Sequence, residues 1–136
     1  MVPSTHHKGL SEMLTLADTN TMMVVVRVAH PYGVDPLGSS EAEVFFNELL
    51  SRYEEPTDQA SLSEWLNHQL AELFTAVGDR PRWIQNPEWQ FADGKPMVFA
   101  GQINIPKNAF PDFHDDTSLY VFIGRKVKPK VVIQQY

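Results

Sequence analysis

Three groups of side chains in this sequence have the types and spacing that chemistry uses. Glu64, His68 and Glu72 recur every fourth residue, so on a helix they drift slowly around one face and would offer two or three ligands to a metal ion. Asp112, His114, Asp115 and Asp116 form the densest polar cluster of the chain. Oxygen-rich loops can hold calcium, and a His beside carboxylates can act as acid or base. His6 and His7 form an adjacent pair.

None of the three is complete. The first group lies opposite a leucine stripe and reads equally well as the charged, solvent-facing edge of an amphipathic helix. The second lacks the alternating spacing and the closing Glu of an EF-hand, and its Asp residues are those that stabilise turns by bonding their own backbone. The His pair has no acidic companion nearby in sequence. The chain has no cysteine, which excludes disulfides, thiolate catalysis and cysteine-bound zinc. Its seven glycines are too dispersed for a phosphate-binding loop, a dinucleotide loop or a nucleophile elbow. We expect no catalytic residue, no metal and no cofactor.

The elements that would position these groups can be read from periodicity. Residues 22–29, MMVVVRVA, are β-branched and end at Pro31 and Gly33, which predicts a strand. Ser39 or Ser40 then caps a helix with Glu41 and Glu43 in its first turn. Ala42, Phe45, Phe46, Leu49, Leu50 and Tyr53 share one arc of its wheel, and Pro56 stops it. Ser61 to Glu64 has the pattern of a capping box. Leu62, Leu66, Leu70, Leu73, Phe74 and Val77 form the buried stripe of this second helix, Trp65 lies at the margin, and Gly78 terminates it. Residues 97–105, 119–124 and 130–135 read as strands, separated by a loop over 106–118 and by an Arg-Lys-Val-Lys-Pro connection. Strand, two helices and several strands predict an α+β domain over 1–136, with two amphipathic helices on one face of a mostly antiparallel sheet and a loose first ten residues.

At 136 residues the chain can bury one core. Its net charge of −6 is unevenly spread: residues 35–79 hold ten acids against Arg52 alone, and residues 80–136 hold eight bases and five acids. The field of the helical part would repel phosphates, so we expect no nucleic acid, and a cationic partner suits it. The start of the sequence has no signal-peptide pattern, and no apolar run approaches the ~20 residues of a spanning helix, so a cytoplasmic protein without a membrane contact is expected.

The most distinctive stretch is residues 81–105, PRWIQNPEWQFADGKPMVFAGQINI. Trp83, Gln85, Trp89 and Gln102 are expected to be structural there. Gln102, inside an apolar strand, needs hydrogen-bond partners if buried, and a loop turning back over the strand could supply them from its backbone. Pro81, Trp83-Ile84-Gln85, Pro87, Gly94-Lys95-Pro96-Met97, Phe99 and Gly101-Gln102-Ile103, followed by Tyr120-Val121-Phe122-Ile123, resemble the signature of the YwqG-like family of bacterial proteins. The likeness is confined to this region, and nothing in the first 80 residues aligns. Some relatives place a Cys pair where this chain has Phe91-Ala92-Asp93, so a metal-stapled version of the loop is absent here. The resemblance implies an α+β fold and no particular reaction, and small relatives resemble immunity proteins encoded beside secreted toxins.

Together these readings predict a non-catalytic protein-binding module, most concretely a bacterial immunity protein that binds and neutralises a cationic toxin domain. The expected partner-binding residues are Glu41, Glu43, Glu48, Glu64 and Glu72, with Asp112, Asp115 and Asp116 as a second surface. The alternative is a small-molecule binder or an enzyme with a pocket at the Trp83 to Phe91 loop, using His114 or Asp115 as acid or base.

Overall fold

Asp18 opens the first helix, accepting hydrogen bonds from the Thr21 backbone N–H at 2.9 Å and from its hydroxyl at 2.7 Å. The computed structural model describes residues 14–54, 58–109 and 115–136. In chain order it contains α1 (Thr19–Ala29), α2 (Ser40–Leu50), α3 (Gln59–Leu73), β1 (Phe91–Ala92), β2 (Lys95–Pro96), β3 (Val98–Ile105), β4 (Thr117–Gly124) and β5 (Val127–Gln135). The fold is α+β, with three helices where two were expected. The expected strand over residues 22–29 is α1. Its Thr21, Val24, Val25 and Ala29 are buried at helical spacing, and α1 packs along α3. β-branched residues favour strands only weakly, so burial of a helical stripe decides the outcome.

Ser39 caps α2, accepting from the Ala42 N–H at 3.1 Å. Ala42, Phe46, Leu49 and Leu50 are buried and Phe45 is half-buried, which is the expected arc. The third helix starts earlier than the Ser61 capping box predicts. Asp58 is its N-cap, accepting from the Ser61 N–H at 2.8 Å and hydroxyl at 2.9 Å, because a carboxylate at that position satisfies the first-turn donors better than the hydroxyl three residues on. Leu62, Leu66, Leu70 and Phe74 are buried, but Val77 is 72% exposed and does not belong to the stripe. Gly78 does not end the helix either. The chain leaves helical geometry at Phe74, and Ala76 then forms a parallel bridge to Phe99, with Phe99 N–H bonded to Thr75 O and Val77 N–H to Phe99 O, both at 3.0 Å. Pro56, the His6-His7 pair and the first ten residues lie outside the described residues.

β1 and β2 form a hairpin whose two turn residues, Asp93 and Gly94, have φ of 53° and 74°. Positive φ at both positions is the geometry that Asp-Gly favours. β3, β4 and β5 form an antiparallel sheet in sequence order. The last turn is shorter than the expected basic connection: only Arg125 and Lys126 lie between paired Gly124 and Val127, while Lys128 and Pro129 belong to β5. A proline is tolerated there because β5 is an edge strand.

One face of the sheet carries the helices. Between the two layers runs the extended segment from residue 75 to 90, whose tryptophans form the contact. Trp83 stacks on Tyr120 at 4.3 Å between ring centroids. Trp89 meets Phe122 and Phe74 edge-on, both at 5.3 Å, and Phe74 stacks on Phe46 of α2 at 5.6 Å. A continuous aromatic column therefore links α2 to β4, and such pairs add to the burial of their large apolar area.

Candidate functional site

The register of the sheet assigns every strand residue to a face. Cross-strand partners share a face and neighbours alternate. On the inner face, Phe99 pairs with Phe122, Gln102 with Tyr120, and Asn104 with Ser118, which in turn faces Gln134. This face grades from aromatic beneath the helices to polar at the end where β4 begins.

The polar end grips the main chain of residues 82–86. Gln102 Oε1 accepts from the Arg82 N–H at 2.8 Å, and Gln102 Nε2 donates to Arg82 O at 3.1 Å. The Tyr120 hydroxyl donates to Arg82 O at 2.9 Å and accepts from the Ile84 N–H at 3.0 Å. Gln134, only 1% exposed, accepts from the Ile84 and Gln85 N–H groups at 3.0 and 2.8 Å. Its Nε2 donates to Asn86 O at 2.8 Å and to Glu88 Oε2 at 2.9 Å. Three side chains from three strands thus replace the hydrogen bonds that a neighbouring strand would have provided, and the segment is held without joining the sheet.

The other expected structural residues belong to the same assembly. Gln85 Nε2 donates to Gln135 O at 2.7 Å, Trp83 Nε1 to Gly33 O at 2.9 Å, and Trp89 Nε1 to Met97 O at 2.9 Å. Tyr120 enters the sequence reading only as part of the signature and Gln134 not at all, although a glutamine pair, Gln134-Gln135, closing the apolar run of β5 is a signal of the same kind as Gln102.

An open cleft of about 510 Å³ lies at this end, lined among others by Arg82, Asn104, Ile105, Asp116 and Tyr136, with Gln102 at its wall. Its polar groups are largely engaged with the protein itself. Asn104 Oδ1 accepts from Gln102 Nε2 at 2.9 Å and from the Ser118 hydroxyl at 2.6 Å, and Asp116 Oδ1 accepts from the Lys107 N–H at 2.7 Å. The carboxylate of Asp116 thereby ties the start of β4 to the chain just beyond β3. Asp115 is exposed beside it, and Asp112 and His114 lie outside the described residues.

The acidic residues sit elsewhere. Glu41, Glu43 and Glu48 on α2 and Glu64 and Glu72 on α3 are all exposed, as is His68 beside them. Glu48 pairs with Arg52 at 3.3 Å, the one ion pair among the described residues. Glu41 and Glu43 occupy the first turn of α2, where the positive end of the helix dipole favours them. Among the described residues no group of three or more His, Asp or Glu is placed to hold a metal ion, so Glu64, His68 and Glu72 are not brought together as ligands.

The outer face of the sheet is different in kind. Its cross-strand rows are Gly101, Val121 and Val131, then Ile103, Leu119 and Ile133, then Ile105, Thr117 and Gln135, with Val98 beside Ile123. None of these residues is charged. Ile103, Ile123, Val131 and Ile133 are 54%, 39%, 53% and 62% exposed.

Comparison with protein-family models, with curated proteins and with solved structures finds no match. No helix of the described residues is long and apolar enough to cross a membrane.

Proposed function

We propose that this chain is a non-catalytic protein-binding module, a bacterial immunity protein that captures and neutralises a cationic toxin domain. The observation that carries this reading is the exposure of Glu41, Glu43, Glu48, Glu64 and Glu72 on two helices, of which only Glu48 is in an ion pair, with Arg52, among the described residues. Exposed surface carboxylates of one sign raise the encounter rate with a cationic partner and discourage anionic ones. The resemblance of residues 81–123 to the YwqG-like signature, whose small relatives resemble immunity proteins, supports the biological role by analogy.

A small-molecule reading would use the cleft beside Gln102. The amide of Gln102 is already bonded to Arg82, Asn104 and Ser118, and Asp116 to Lys107, which leaves few groups to recognise a ligand. Protein binding is therefore preferred.

The test is co-expression with the protein encoded by the adjacent reading frame, followed by association kinetics with that purified protein. The expected result is relief of growth arrest, with an association rate that falls at least about tenfold on joint Glu→Lys reversal at 41, 43, 48, 64 and 72 and loses its salt dependence. Rates and salt slopes unchanged by the reversal would reject the acidic helices as the docking surface.

A further inference from the structure

We infer that the open edge of β3 is a docking site for an extended acidic peptide, which adds to the sheet as an antiparallel strand beside Gln102 and Asn104. The sheet has two edges, and only one of them is guarded. β5 carries Lys128, Pro129 and Lys130, residue types that keep an exposed edge from pairing. β3 has neither a charge nor a proline from Val98 to Ile105.

The chain itself pairs with one end of that edge. Phe99 N–H donates to Thr75 O and Phe99 O accepts from the Val77 N–H, both at 3.0 Å, so residues 75–77 run beside β3 in the parallel sense. The segment then crosses to the inner face, where Gln102 and Tyr120 hold Arg82. The bulge between Phe99 and Gly101 lies at this covered end, and from Gly101 to Ile105 β3 is in regular register with β4.

Residues of an antiparallel strand turn their N–H and C=O groups alternately to one side and the other. Asp116 O accepts from the Tyr136 N–H, so Asp116, Ser118 and Tyr120 bond toward β5, while Thr117, Leu119 and Val121 bond toward β3. Their partners Ile105, Ile103 and Gly101 are thereby engaged with β4, and the main chains of Gln102 and Asn104 face outward. Among the described residues none of their N–H and C=O groups has a main-chain partner. An added strand is held by these groups and inherits the faces of β3. Its residues opposite Gln102 and Asn104 lie on the inner side, and the residue between them lies beside Ile103, which is 54% exposed.

Charge selects the occupant. Arg82 borders two clefts along this edge, one of about 190 Å³ with Phe99, Ala100 and Gly101 and a second with Asn104 and Ile105. Its side chain is exposed and in no ion pair among the described residues. Arg80 also lines the first cleft, donating to Tyr32 O at 3.2 Å and lying over the Tyr32 ring, with no carboxylate at ion-pair distance among the described residues. Asp79 is the one carboxylate of that cleft, and at the far end Asp116 and Lys107 adjoin and offset each other. Arg80 and Arg82 outweigh Asp79, so the edge is positive in a chain of net −6. A peptide with the order acidic, apolar, acidic turns its carboxylates toward Arg82 and lays its apolar residue on Ile103. A second copy of this chain fits less well, because β3 against β3 opposes Arg80 and Arg82 of the two molecules and β5 is guarded.

Titration of the isotope-labelled full chain with the peptide acetyl-Thr-Glu-Val-Glu-Thr-amide, followed by amide chemical shifts, tests the proposal. The expected result is saturable shifts at Gln102, Ile103 and Asn104. N-methylation of both peptide glutamates removes the donors to Gln102 O and Asn104 O and should weaken binding at least about tenfold. Arg82→Glu should weaken it to a similar degree, and a peptide with Lys in place of both Glu should bind that variant better than the wild type. The Arg82 side chain is exposed and its main chain remains for the Gln102 clasp, and circular dichroism verifies the fold. No shifts at millimolar peptide, an N-methylated peptide that binds as well as the parent, or an affinity indifferent to Arg82→Glu overturns the proposal. Shifts of Gln102 to Asn104 that follow protein concentration without peptide would assign the edge to a second copy and overturn it as well. Binding of a cationic partner at the helical glutamates is read out separately and is untouched by these results.

Discussion

Gln102 and Arg82 are joined twice: the main-chain N–H of Arg82 donates to the Gln102 side-chain oxygen at 2.8 Å, and the Gln102 amide nitrogen donates back to the Arg82 carbonyl at 3.1 Å. The side-chain amide imitates a strand partner, pairing with one residue as a neighbouring peptide unit would. Gln134 repeats the device from β5 at Ile84, Gln85 and Asn86. Between them they fix the height at which Trp83 meets Tyr120, and hence the spacing of the two layers.

Replacing these amides by apolar side chains should therefore loosen the segment in proportion to the polar groups left behind. Gln102→Met is expected to cost about 1–2 kcal/mol, because Arg82 O retains the Tyr120 hydroxyl while its N–H is left unpaired. Gln134→Leu, at a buried position with four partners, should cost about 3 kcal/mol or more. Urea denaturation of the two variants measures the difference. Equal losses would mean that the segment is held by its tryptophans alone.

Gly33 has φ of 80°, and a Cβ there would stand 3.3 Å from both Pro81 Cγ and Trp83 Nε1. Strain and crowding act together, since Trp83 Nε1 is also bonded to Gly33 O. Gly33→Ala is expected to cost about 1–2 kcal/mol and to change the tryptophan environment. Thermal unfolding together with near-ultraviolet circular dichroism checks both effects. Gly78, with open space around its Cβ position, should accept alanine without loss.

The two capping aspartates make acid stability predictable in sign. Hydrogen bonds from the side chain and then the backbone of Thr21 lower the pKa of Asp18, and the backbone and then the side chain of Ser61 lower that of Asp58, both from 3.8. A depressed carboxylate pKa contributes stability that is fully present above the unfolded value and is lost as pH falls through the folded value. Stability should thus decline below about pH 4. The double substitution Asp18→Asn with Asp58→Asn should flatten this acid limb, because asparagine caps without titrating. Urea midpoints between pH 2 and pH 6 decide it, and an unchanged slope would place the acid sensitivity elsewhere.

Local pattern carried much of the architecture. The Ser39 cap and the arc from Ala42 to Leu50 defined α2, the leucine stripe defined the body of α3, and the β-branched and aromatic runs located β3, β4 and β5 to within a few residues. These features are decided by neighbours three or four positions away, or by alternation along one strand. Residues 22–29 escaped this reading because valines fit either periodicity, and what made them α1 was a stripe buried against α3, more than thirty residues on. The Asp58 cap was hidden by a plausible alternative at Ser61.

The residues that give the molecule its surfaces depended on pairing. Gln102 could be marked as a buried polar group in want of partners, but that its partner was Arg82, or that Gln134 and Tyr120 would share the task, follows only once strands are laid side by side and the segment is folded back across them. The same register turned apolar runs with no evident sidedness into an inner face covered by aromatics and an outer face left open. The sequence by itself determined α2, the body of α3, the three long strands and that the charge is carried by the helices; tertiary structure alone decided that residues 22–29 are helical and which side of the sheet is covered, because burial of a face is set by contacts between residues distant in sequence.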